Sequence, residues 1–187
     1  MLEDFSDGNG KVSEKTLAQL RTLDCSNSFV QLSGLKIAAL EELLSKFARH
    51  AIFNLRLNEL GSDPVAAVQI LLKLLRIYDH SKHVYFSGNK DVIKLVKSVA
   101  PQEVCCLSED STPYEIIELA VALQCNKAEF ALPHLTKEAI DKVHSQGLKC
   151  VIKCDDPLKA PEYFQMGIDT ILTCDYWHIA QALKSKA

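Results

Sequence analysis

The sequence predicts an α/β fold built on a parallel sheet. Three observations predict it. Strand-like and helix-like segments alternate six times over residues 51–187. The loops between them are only a few residues long. Several helices carry chemical start and stop signals. Short alternation of this kind implies right-handed crossovers between parallel strands. From the pattern alone, an open doubly wound sheet and a barrel both remain open.

The first strand is AIFNLRL (51–57), apolar except for Asn54 and Arg56. Strand side chains alternate, so these two share one face. The helix at 63–80 follows, with Asp63 as N-cap, Pro64 at its first position, and Val65, Val68, Leu71, Leu72 and Leu75 on one stripe. HVYFSG (83–88) is a strand, and the helix at 89–100 shows Val92, Leu95, Val96 and Val99 on one face. EVCCLS (103–108) precedes a helix at 112–124 opened by a capping box from Thr112 to Glu115. KAEFALP (127–133) leads to a helix that Gly147 stops, LKCVIKC (148–154) to one that Gly167 stops, and DTILTC (169–174) to a closing helix at 176–187. Residues 1–50 supply a turn, a short helix within 10–24 and an amphipathic helix over 34–50. No linker or low-complexity stretch appears, so the expectation is a single domain over residues 1–187.

The chain has 187 residues, 48% hydrophobic and 24% charged, enough for one sizeable core. A net charge of −3 and the absence of any Lys/Arg-rich run argue against nucleic acid as a partner. No apolar stretch approaches a membrane span. The polar start MLEDFSDGNG is not a signal peptide. Seven cysteines without a CxxC pair fit buried, reduced thiols, with Cys105, Cys106, Cys150 and Cys174 in apolar strand runs, and imply a cytoplasmic location.

SDGNGKVSE imitates a calcium loop but fails as one. In an EF-hand frame starting at Phe5, positions one and twelve are Phe5 and Thr16, so both anchoring carboxylates are missing. A glycine-rich turn is expected instead. No HxH or HExxH spacing occurs among the six histidines, so zinc has no local support. His50, His80 and His144 fall near helix C-termini, where a cation suits the dipole, and His83 starts a strand. His134, just past KAEFALP, is the histidine placed for substrate contact. Lys153 and Asp155 end a strand on the same side, where solvated loop charges are the alternative reading. Ser87 has no Ser-His-Asp context.

Six blocks in order resemble the glycerophosphodiester phosphodiesterases. LEDFSDGNGKVSEKTLAQLRTLD resembles the segment after the family's second catalytic histidine, L-x-R-T-T-x-G-x-G-x-V-x-x-x-T-x-x-E-L-x-x-L-D. IAALEELL resembles I-P-T-L-E-E-V-L, FNLR the strand I-E-[IL]-K, and VYFSGNKDVIKLVKSVAP the S-S-F-x-x-D strand and helix. HSQGLKCVIKCDDP and GIDTILTCDY resemble the last two strands. The resemblance implies a (β/α)8 barrel with its site at the C-terminal strand ends. It also implies hydrolysis of a phosphodiester by two histidines and a divalent metal, calcium or magnesium, held by acidic residues.

Measured against that pattern, the chain departs at the chemistry. The family's H-R-G…E-N-T, E-x-D and H-D blocks on strands one and two lie before the segment at which this sequence begins, so six of eight strands are expected. The carboxylate of I-E-[IL]-K falls at Asn54, whose amide keeps an oxygen but no charge. The family lysine is matched by Arg56, the serine by Ser87, and the aromatic after it by Gly88. The late tryptophan is missing from VIKCDD, matched at Ile152 or Lys153. The resemblance thus implies no catalytic residue and no metal ligand in this chain. Arg56, Asn54, Ser87, His134 and Lys153 are the candidates for binding a phosphate-bearing small molecule. Its alternative is an active diester hydrolase once upstream residues are supplied. Six strands leave an open edge on each side of the gap, so an oligomer or a covering partner is expected.

Overall fold

A computed structural model describes residues 1–26, 33–48, 50–58 and 60–184, the side chain of His134 excepted. The described chain divides into two compact units, 1–51 with 59–83, and 52–58 with 84–187.

The first unit holds α1 (Leu17–Leu20), α2 (Leu40–Phe47) and α3 (Pro64–Ile77). Leu2, Leu20, Leu44, Val68 and Leu75 are buried. The acidic turn is knitted by its own backbone: Asp7 Oδ1 accepts from Asp24 N at 2.8 Å, and Glu3 Oε2 from Gly10 N at 3.1 Å. The helix expected over 34–50 begins only at Leu40. Glu42 fixes that start by accepting from Ala39 N at 2.8 Å while Arg21 Nη2 donates to its other oxygen at 2.8 Å. α3 opens as read, with Asp63 Oδ1 accepting from Ala66 N and Pro64 at its first position.

The second unit carries β1 (Phe53–Arg56), β2 (Val84–Gly88), β3 (Cys105–Ser108), β4 (Lys127–Phe130), β5 (Lys149–Lys153) and β6 (Thr170–Leu172). All pair in parallel, in the order β1-β2-β3-β4-β5-β6. A doubly wound sheet reverses its strand order at a switch point, whereas a barrel adds each strand beside the last. The consecutive order decides for the arc of a barrel wall. β1 and β6 each pair on one side among the described residues, and their residues are half-buried or exposed, while β2 is buried throughout.

Helices α4 (Lys90–Val99), α5 (Pro113–Ala122) and α6 (Lys137–Ser145) pack on one face of this sheet, α4 against β2 and β3, α5 against β3 and β4, α6 against β5. That face buries Phe86, Leu107, Ala128 and Ile152. The opposite face alternates with it and packs Tyr85, Cys106 and Val151 together, with Leu172 against them. α7 (Ala160–Met166) ends at Gly167, whose φ of +103° is a left-handed cap that a side chain would strain. α8 (Tyr176–Lys184) closes the described chain. All six strands are shorter than read. KAEFALP leaves the sheet at Phe130 and turns through a 3₁₀ segment at Leu132–His134, where Pro133 cannot donate to a ladder.

Candidate functional site at the C-terminal strand ends

The face opposite the helices turns polar toward the C-terminal ends of the strands. Asn54 and Arg56 from β1, Ser87 from β2, Ser108 from β3, Glu129 from β4 and Lys153 from β5 fall in its alternating positions. All but Asn54 sit at the last or next-to-last residue of their strand, and the residues alternating with them face the helices.

These groups form two separate arrangements. In one, the buried Ser87 donates its hydroxyl to Asn54 Oδ1 at 2.6 Å. In the other, Arg56 Nη1 donates to Glu129 Oε2 at 3.0 Å and Oε1 at 3.2 Å, while Arg56 Nη2 donates to Ser108 Oγ at 3.0 Å. Asn54 and Arg56 therefore share a face but do not satisfy each other. The second arrangement opens onto a cavity of about 400 Å³ whose charged lining is Arg56, Lys153, Glu129, Glu109 and Asp110. Asn54 and Ser87 do not line it. Glu109 is partly engaged, since its Oε1 accepts from Lys90 N at the start of α4.

The buried phenol and thiols in and beside the sheet are held neutral. Tyr85 is buried, and burial pushes its phenol up to about 12. Lys127 Nζ lies 4.5 Å above that ring. Burial also pushes the Cys106, Cys125 and Cys150 thiols up to about 12 and Cys105 to about 11, so none is a thiolate at neutral pH. All seven cysteines are unpaired, as reduced thiols require. Cys174 departs from the expectation of burial: β6 ends at Leu172, and the thiol beyond it is exposed.

Of the five residues singled out from sequence, Arg56 and Lys153 share the cavity, Asn54 and Ser87 pair with each other, and the side chain of His134 lies outside the described residues. Asp155 works as a loop clasp, accepting from Cys174 N at 2.7 Å and Thr173 Oγ1 at 2.9 Å. His144 Nε2 sits 2.9 Å from Asp169 Oδ2, and His80 is buried in the first unit. Sequence reasoning missed Glu129 and Ser108. The signal was present: Glu129 is the only carboxylate within the six strands, and it alternates onto the face of Arg56.

The donor set does not fit a divalent metal by itself. Among the described residues no three His, Cys, Asp or Glu side chains converge to hold one. The Asn54 oxygen is occupied by Ser87, and the Glu129 carboxylate by Arg56. A hard cation takes six or more oxygens, several of them charged.

A parallel arc of strands in sequential order, with a charged cavity at their C-terminal ends, defines an α/β-barrel protein of the kind whose sites lie at that end. The chain belongs to the glycerophosphoryl diester phosphodiesterase family, whose sequence profile matches residues 1–175. Solved structures agree on the fold. A glycerophosphodiester phosphodiesterase of Agrobacterium tumefaciens superposes with a TM-score of 0.76 at 17% identity, over 95% of this chain and 76% of that one. A phosphodiesterase of Oleispira antarctica, in complex with its product sn-glycerol-3-phosphate, gives 0.84 at 19%, over 98% and 76%. A glycerophosphoryl diester phosphodiesterase of Parabacteroides distasonis gives 0.73 at 20%, over 100% and 69%. Among curated proteins no relative matches the sequence.

Proposed function

We propose that the mouth at the strand ends binds a phosphate-bearing small molecule of the glycerophosphodiester type, and that these 187 residues alone do not hydrolyse it. One observation carries this reading. The cation at the family's lysine position, Arg56, reaches the cavity beside Lys153, while the residue at the family's carboxylate position, Asn54, is turned to Ser87. A site of this kind holds an anion by charge and hydrogen bonds. Among the described residues its three carboxylates, Glu129, Glu109 and Asp110, do not converge to hold a cation against a phosphoryl group, and no histidine lines the cavity to move a proton. A place in lipid metabolism follows from the ligand class. Unpaired thiols support a reducing, cytoplasmic compartment. Among the described residues no helix is long and apolar enough to cross a membrane.

The experiment has two arms. Calorimetry with glycerol 3-phosphate should show binding that Arg56→Gln abolishes. Incubation with glycerophosphocholine, with and without calcium or magnesium, should release no glycerol 3-phosphate; measurable turnover overturns the non-catalytic part. A second reading, an active hydrolase once upstream residues are supplied, is favoured by the shares of 69–76% that the chain covers of its structural relatives. It requires metal-dependent turnover from a longer chain carrying those residues.

A further inference from the structure

We propose that Glu129 is an internal competitor for the anion at Arg56 and sets how tightly the mouth binds its ligand. The inference rests on the reading of the mouth as an anion site. A guanidinium offers a fixed fork of donors that suits a carboxylate and a phosphate alike. Here Nη1 is given to both oxygens of Glu129, and Nη2 to Ser108. The donors an incoming phosphate would use are therefore held by a group of the same charge sign.

The two partners are unequally anchored. The Glu129 side chain is 15% exposed and rises from β4 inside the sheet, whereas Arg56 is 48% exposed and stands at the end of the edge strand β1. When a phosphate binds, Arg56 swings and Glu129 stays. The carboxylate then faces the bound anion from the cavity wall. Glu109 and Asp110 add to that field, so the lining carries three carboxylates against the two cations Arg56 and Lys153. Like charges a few ångströms apart in a partly desolvated cavity oppose binding strongly. Of the three carboxylates in the lining, Glu129 is the one in direct contact with the Arg56 guanidinium.

The test uses the full chain with glycerol 3-phosphate and, separately, inorganic phosphate as probes in calorimetry. Glu129→Gln keeps the shape and a neutral oxygen for Nη1 but removes the charge. The expected result is roughly tenfold tighter binding of glycerol 3-phosphate at low salt. The gain should shrink at about 1 M salt, and should be absent when Arg56→Gln is added. Equal or weaker binding by folded Glu129→Gln, with wild-type binding intact, overturns this inference alone. A gain that survives in the double variant overturns it as well. Absence of binding in wild type and in Glu129→Gln overturns both the inference and the reading of the mouth beneath it. Glu129→Ser gives the same readout if the glutamine variant fails to fold.

Discussion

Ser87 stands opposite Arg56 in the parallel register of β1 and β2, yet its hydroxyl bonds to Asn54, at 2.6 Å. That diagonal contact leaves the Arg56 guanidinium to cross toward β3 and β4, where it meets Ser108 and Glu129. One hydrogen bond thus separates the amide from the cation that share a strand face.

Asn54→Leu should strand the buried Ser87 hydroxyl and cost roughly 1–3 kcal/mol in urea denaturation. Asn54→Asp, which keeps an acceptor, should cost less. Asn54→Glu restores one carboxylate but not a cage, so calorimetry with calcium should show no tight site.

Arg56→Gln should remove glycerol 3-phosphate binding and leave Glu129 without its cation at a site where that carboxylate is 15% exposed. Arg56→Lys should recover only part of the affinity, because an ammonium cannot offer the planar fork.

Gly88→Ala should destabilise the second unit. A Cβ there would stand 2.7 Å from Val92 Cγ1 and 3.0 Å from the Leu57 carbonyl oxygen. β2 and α4 would have to move apart, which for overpacking costs typically 1–3 kcal/mol. The position matched to a family aromatic is filled here by the neighbouring helix. Thermal melting of the variant reads the effect.

Acid should weaken the fold through two carboxylates. Hydrogen bonds from Ser111 first, then Thr112, hold Glu115 below its ordinary value of 4.5. Those from Cys174 N first, then Thr173, hold Asp155 below 3.8. A folded-state value depressed below the unfolded one stabilises above the unfolded value, and that stability is lost as pH falls through the folded value. Melting temperatures should therefore drop below about pH 4.5. The drop should be smaller in a Glu115→Gln, Asp155→Asn chain.

Thiol labelling should separate two classes. Cys174 is exposed and should react with a disulfide reagent at pH 8 without denaturant. Cys105, Cys106, Cys125 and Cys150 are buried, with thiols pushed up to about 11 or 12, and should react only after unfolding.

Much of the site was legible in residues 51–57. Alternation alone put Asn54 and Arg56 on one face, and the resemblance named their positions. The pairing partners were not legible, because they lie 33 to 73 residues away, on strands whose register the sequence does not state. The same limit explains the strand at 127–133: its composition reads as strand to Pro133, but the chain leaves the sheet at Phe130.

Six strand–helix units, the caps at Asp63 and Thr112, the stops at Gly147 and Gly167, and a strand face bearing an amide and a guanidinium are all written in the residue order. These are local, set by backbone preference and side-chain period. The sequential strand order, the exposure of Cys174 and the capture of Arg56 by Glu129 came from the folded arrangement alone. Those depend on which distant residues share a row of the sheet, and a row is created by the register between strands.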